Sequence, residues 1–113
     1  MSDDCIFCRI ARGEIETTKV AENDQAMAFR DLNPQAPTHI LVIPKMHVTS
    51  MDEADDPALL GAVMHMAAQV AKAEGVAAKG YRTVINTGFD GGQTVNHLHA
   101  HVIGGRRMTW PPG

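Results

Sequence analysis

The sequence predicts an α+β domain with a mostly antiparallel sheet. Short alternating segments come first, one long apolar-striped helix follows, and further alternating segments close the chain. That order separates strands from helix and does not interleave them as a parallel βαβ array would. The 113 residues make one domain, 1–113, with room for a single modest core. No internal repeat, low-complexity stretch or long linker interrupts it.

The elements follow in order. "CIFCRIARGEI" forms one or two helical turns that end near Gly13. "TKVAEND" and "QAMAFRD" read as two short strands joined at Asn23-Asp24, a favourable turn pair. "NPQAP" is a stiff loop, because Pro34 and Pro37 each fix a backbone angle and lack an amide donor. "HILVIP" is a short buried strand stopped at Pro44. In the main helix Asp56 is the cap, Pro57 the first residue, and Gly75 the stop. Leu59, Val63, Met66 and Val70 give it a core stripe, and Leu60, Met64 and Ala68 a second apolar stripe beside it. A helix apolar over so much of its circumference asks for more cover than one small sheet supplies, so a second subunit is expected against it. "YRTVINTG" alternates as a strand, "FDGGQT" makes a glycine-rich loop, and "HLHAHVIGG" begins the last strand. The tail "MTWPPG" is too rich in proline for regular structure.

Composition narrows the function classes. A net charge of −3 disfavours a surface that coats nucleic acid. No apolar run approaches the roughly 20 residues that span a bilayer. The start "MSDDCIFCRI" is acidic and lacks the basic and apolar regions of a secretory signal. The expectation is a cytoplasmic protein whose two cysteines, Cys5 and Cys8, do not form a structural disulfide.

The chemistry concentrates in "TVNHLHAHVIGG". On a strand, alternate side chains share a face, so His97, His99 and His101 would line up with Cα atoms roughly 6.6 Å apart. Leu98, Ala100 and Val102 would point to the core. Three readings compete: a partly polar exposed face, a histidine-only metal site, and phosphoryl transfer with one histidine as nucleophile. The preceding "DGGQT" favours the third. Gly91 and Gly92 let backbone amides approach an anion, and the Thr94 hydroxyl can donate to it.

At this point "HLHAHVI" resembles the histidine triad motif, in which histidines and apolar residues alternate and two apolar residues follow. "DLNPQAPTHILVIPK", "GYRTVINTG", "DGGQTVNHLHAHVIGGR" and "WPPG" are similar, in order, to the Hint branch of that family, so the likeness runs from Cys5 to Gly113. The resemblance implies a HIT-like fold of about five antiparallel strands and one main helix. It also implies a homodimer whose two sheets join into one. The implied activity is hydrolysis of purine nucleoside 5′-phosphoramidates, conjugates of AMP or GMP, to a nucleoside monophosphate and an amine. A Fhit-like hydrolase of dinucleoside polyphosphates and a non-catalytic nucleotide-binding regulator are the alternatives. The transferase branch has glutamine where His101 stands, so His101 favours water as the acceptor.

Residue by residue, the resemblance makes His99 the nucleophile and His101 the neighbour that contacts phosphate and protonates the leaving group. It makes His39 a supporting member of the proton network. Without it, His39 reads as a strand-end histidine making a local hydrogen bond. Asn86, Gly92 and Thr94 resemble phosphate and leaving-group contacts, and Asp31 the acceptor for the ribose hydroxyls. Ile6, Phe7, Ile10, Phe29 and Leu32 would line the nucleobase pocket. Trp110 would lie near the partner subunit's active site. Thr94 stands where serine is usual and Asn96 where an aromatic residue is frequent, which alters the leaving-group pocket and leaves the reaction class intact.

Cys5-x2-Cys8 has metal-ligand spacing but supplies two of the roughly four ligands of a structural zinc site. His47 and His97 are the candidates to complete it, and some members of the family resembled hold zinc with two Cys and two His at these places. The bland alternative is a pair of reduced thiols. A thioredoxin-like redox pair would follow a strand, and only four residues precede Cys5. Zinc here would be structural and catalysis would need no cofactor, leaving His97 to structure and His99 and His101 to chemistry. His65, in the main helix, has no chemical role.

Overall fold

The computed structural model describes residues 4–113. Five strands form one antiparallel sheet: β1 (Lys19–Glu22), β2 (Ala26–Arg30), β3 (Thr38–Pro44), β4 (Tyr81–Val84) and β5 (Ala100–Gly104), in the spatial order β1-β2-β3-β5-β4. Helix α1 (Ile6–Ala11) and helix α2 (Pro57–Ala73) lie on opposite faces of it. A 3-10 turn at Met51–Glu53, not anticipated from the sequence, leads into α2. No helix among the described residues is long and apolar enough to cross a membrane.

The two-residue period of the strands sorts their side chains. Ala26, Ala28, Ile40, Val42, Ala100 and Val102 pack beneath α2 against Val63, Met66, Ala67, Val70 and Ala71. Met27, Phe29, Leu41 and Ile43 face the other way and meet Phe7 and Ile10 of α1. His39 and His101 belong to this second face, because His39 alternates with Ile40, and His101 with Ala100 and Val102.

Helix α2 forms as the sequence predicts. The Asp56 carboxylate accepts the Ala58 amide at 2.9 Å, Pro57 opens the helix, and Gly75 leaves it at φ 78°. Leu60 and Ala68 of the second stripe are half-buried and Met64 is 44% exposed, so this chain alone does not cover that stripe.

Two strand boundaries differ from expectation. Strand β4 stops at Val84, and β5 starts at Ala100 where the sequence suggested His97. The backbone of 97–99 is engaged elsewhere: the Leu98 amide donates to Val48 O at 2.7 Å, and the His97 carbonyl accepts from the His99 ring at 2.8 Å. His101 alone of the three histidines is on the strand; His97 lies in a bend before it and His99 immediately precedes it.

Candidate active site

The α1 face carries two side-chain clusters, joined through His97 and His99. The first is built from His39, His99 and His101. His99 is 4% exposed, and its Nδ1 lies 2.8 Å from the His97 carbonyl. A carbonyl oxygen only accepts, so Nδ1 carries the proton and Nε2 keeps its lone pair. The Phe7 ring meets the imidazole edge-on at 5.1 Å between centroids and holds its plane. Burial, a fixed tautomer and a bare nitrogen together are what an imidazole needs to act as a nucleophile.

Beside it runs a chain of donors with one consistent direction. The Gln35 amide donates to His39 Nδ1 at 3.0 Å, which leaves the His39 proton on Nε2. His39 Nε2 lies 2.9 Å from His101 Nδ1 and donates to it. The His101 proton is therefore on its own Nε2, a buried atom with no hydrogen-bond partner among the described residues. A buried donor left unpaired is costly in a folded chain, and a ligand atom would satisfy it. The His101 ring is 5.0 Å from that of His99. One imidazole thus offers a lone pair and its neighbour an N–H.

Electrostatics keep this chain neutral. Burial, with His99 and His39 nearby, pushes His101 down to about 4, against a smaller opposing pull from Asp31. His39 is lowered by burial as well, and Asp31 opposes that shift without reversing it. The Asp31–His39 contact of 3.4 Å is therefore a carboxylate beside a neutral ring and not an ion pair. Asp31 also accepts the Asn33 amide at 2.8 Å, which fixes the turn after β2.

The second cluster is Cys5, Cys8, His47 and His97, whose donor atoms all lie within 4.8 Å of one another. His97 Nε2 donates to Pro44 O at 2.9 Å, so its Nδ1 lone pair faces the cluster. That Nδ1 is 3.3 Å from Cys5 Sγ, 3.6 Å from Cys8 Sγ and 3.2 Å from His47 Nδ1, and Cys8 Sγ is 3.2 Å from His47 Nδ1. The edges of a tetrahedron with zinc bond lengths are about 3.3 Å for two nitrogens and about 3.6 Å for nitrogen and sulfur. The donor set and its spacing fit one tetrahedral ion, and the Pro44 carbonyl orients the ligating ring as such partners do.

The loop between β4 and β5 is closely pinned. The Gln93 side chain accepts from the Gly88 amide and donates to Thr49 O and Val95 O. A Cβ on Gly91 would come within 2.3 Å of Thr87 O, so the turn closes only around glycine there. The Gly92 amide, expected to approach an anion, already donates to Phe89 O at 3.0 Å within the turn. Asn86 is half-buried, while Gly92 and Thr94 are exposed.

The predicted nucleobase residues divide. Phe7, Ile10 and Phe29 are buried together, with Phe7 and Phe29 edge to face at 5.7 Å. Ile6 is 47% exposed, and Leu32 is 97% exposed on the turn that Asp31 caps. Trp110 is 81% exposed, with the Arg82 guanidinium of its own chain 5.8 Å from the ring centre. Sequence reasoning missed Gln35, Gln93 and the Pro44 carbonyl. Two of these act through backbone atoms, which no residue type announces; the rigid "NPQAP" loop just before His39 was the available sign of the first.

Comparison with known proteins identifies the family and the fold. The family model described as HIT domain matches residues 12–108. The 14 kDa zinc-binding protein of Zea mays is 49% identical over 96% of this chain and 87% of its own length. The Adenylylsulfatase HINT1 of Arabidopsis thaliana is 48% identical over 96% of this chain and 76% of its own. The crystal structure of a HIT family hydrolase from Legionella pneumophila superimposes with a TM-score of 0.94 at 50% identity, over 97% of this chain and all of that one.

Proposed function

Because this chain belongs to the HIT domain family, with its histidine triad at His97, His99 and His101, we propose that it hydrolyses the P–N bond of purine nucleoside 5′-phosphoramidates through a nucleotidyl-histidine. The observation that carries the reading is the pairing of His99 Nε2, bare because Nδ1 donates to the His97 carbonyl, with the unpaired Nε2–H of His101.

The steps follow from that pairing. His99 Nε2 attacks the α-phosphorus while the bond to the leaving nitrogen breaks. The leaving nitrogen, held by the His101 Nε2–H, takes a proton from a water molecule, and an amine departs. His39, whose Nε2–H points at His101 Nδ1, holds the His101 ring in that orientation. The phosphoryl imidazolium keeps its Nδ1–H on the His97 carbonyl. The hydroxide left by that water attacks phosphorus, and the P–Nε2 bond breaks to give a nucleoside monophosphate and neutral His99. Asp31 accepts from the ribose hydroxyls, while Asn86 and Thr94 stabilise charge on the phosphoryl oxygens, and Gly92 serves by closing the turn through its amide bond to Phe89 O. Phe7, Ile10 and Phe29 form an apolar wall for the base, closed by Ile6 and Leu32 when a nucleotide is bound.

A structural zinc ion on Cys5, Cys8, His47 and His97 belongs to the same reading. It would tie α1, and with it Phe7, to the segment that carries His99, and no step passes through it. A reducing cytoplasm keeps both thiols available as ligands. The exposed part of the α2 second stripe supports a homodimer.

The test is hydrolysis of an adenosine 5′-phosphoramidate bearing a fluorescent amine. Wild type should release the amine rapidly, and His99→Ala should lose at least about 10³-fold in kcat while binding AMP within about tenfold of wild type. Equal slow release by both would remove the covalent mechanism and favour the dinucleoside polyphosphate or pure binding alternatives.

A further inference from the structure

A concave site lies at the far end of the sheet from the zinc-type cluster, where α2 ends and β5 runs out into the tail. It is a cavity of about 650 Å³ walled by Gly75, Gly80, Gly105, Lys79, Arg106 and Arg107. None of these residues belongs to the two clusters described above. The volume is that of an ordinary small-molecule pocket.

Its charge departs from the rest of the chain. Residues 75–113 contain four cations, Lys79, Arg82, Arg106 and Arg107, and one acidic residue, Asp90, within a chain of net charge −3. Five of the other cations are tied down. Arg9 and Arg12 pair with Glu14, Lys19 and Lys45 with Glu22, and Arg30 with Glu74. Lys79, Arg106 and Arg107 are exposed and have no carboxylate within ion-pair distance among the described residues. Three unpaired cations around one concavity repel one another unless an anion joins them.

The obvious opposing charges are already neutralised. The end of α2 would present a negative dipole, yet the Glu74, Gly75 and Val76 amides donate back to Val70, Lys72 and Ala71 carbonyls. The Glu74 carboxylate next to the cavity is held by Arg30 at 2.9 Å. Arg106 is partly oriented, with Nε donating to Gln35 O at 3.0 Å and Nη1 to Arg107 O at 3.4 Å, which leaves the Nη2 end of its fork to meet a ligand.

We propose that this cavity is a second anion site that binds a phosphate chain, held by Lys79, Arg106 and Arg107. Two guanidinium forks and one ammonium suit several phosphoryl groups in a row better than one small anion, because each fork grips two oxygens at once. Arg106 holds the carbonyl of Gln35, and the amide of Gln35 holds His39. The anion site and the histidine chain therefore share one residue of backbone without sharing a ligand.

The test is calorimetric titration of the metal-loaded protein with inorganic pyrophosphate, in the presence of saturating AMP to fill the histidine site. Wild type should bind with a submillimolar Kd that weakens as salt is raised to about 0.5 M. The Lys79→Ala/Arg107→Ala double variant should bind at least about tenfold more weakly and hydrolyse the phosphoramidate at the wild-type rate. Absence of binding to wild type, or equal affinity in the double variant, would overturn the proposal. Neither result depends on the phosphoramidase reading, because the variant comparison stands whether or not AMP occupies the histidine site.

Discussion

At the scale of residues, three histidines spaced by two have three environments and therefore three behaviours. His97 gives Nε2–H to Pro44 and turns its other nitrogen to the cysteines. His99 gives Nδ1–H to a carbonyl and keeps a bare Nε2. His101 accepts from His39 and keeps an unpaired N–H. The depressed pKa of His101 has a consequence for stability. The unfolded ring takes up a proton near pH 6.5 while the folded ring stays neutral until about 4. Its stabilising contribution is complete above about pH 6.5 and is lost as pH falls toward 4, at a slope of at most about 1.4 kcal/mol per pH unit. Urea unfolding of wild type and His101→Asn at pH 7 and pH 5 isolates it. Wild type should lose more stability on acidification than the variant does, and identical losses would contradict the assignment.

At the scale of elements, the capping residues of α2 could be read directly, because Asp56, Pro57 and Gly75 act on their own neighbours. The alternation around His101 was equally legible, whereas β3, buried on both faces, read only as a buried strand, and it is its register with β5 that puts His39 on the face of His101. What the sequence left out was non-local. The start of β5 depends on Val48 taking the Leu98 amide, and the His39 tautomer on the Gln35 amide. Neither partner is marked by its residue type. Helix α1 is six residues long, too short to be stable by itself, and is held by the burial of Phe7, Cys8 and Ile10. If zinc joins Cys5 and Cys8 of this segment to His47 and His97, metal and fold are linked. Protein purified without chelator should carry about one zinc per chain. Its removal should lower Tm by several degrees or more and loosen α1 in hydrogen exchange, with hydrolysis falling only as the fold loosens. An unchanged Tm, or loss of activity in a chelated protein that keeps full α1 protection, would contradict a purely structural ion.

At the scale of the whole molecule, a single sheet separates an apolar face from a face that carries the clustered histidines and cysteines. The α2 face is apolar and closed, and the α1 face holds both clusters. The core of this division was visible in hydrophobic periodicity. The basic cavity was not, because Lys79 and Arg107 are distant in sequence and meet only through the ends of α2 and β5. The edges of the sheet also differ. Strand β1 is bordered by the Lys19–Glu22–Lys45 ion contacts, a common way to blunt an edge, whereas β4 has half-buried residues throughout. With the exposed part of the α2 stripe, this points to association on the β4 side. Sedimentation equilibrium should find a dimer, and Met64→Arg should raise its dissociation constant at least about tenfold by placing a charge in an apolar contact. A monomeric wild type, or a variant that dimerises as well as wild type, would count against it.

The proposed hydrolysis is a double displacement at phosphorus through His99. Its most direct test is the stereochemical course of hydrolysis, using a nucleoside 5′-phosphorothioamidate of one configuration at phosphorus in ¹⁸O-water. Two in-line attacks, first by His99 Nε2 and then by water, invert twice and predict net retention. Net inversion would mean that water attacks the substrate directly, and His99 would then not be the nucleophile.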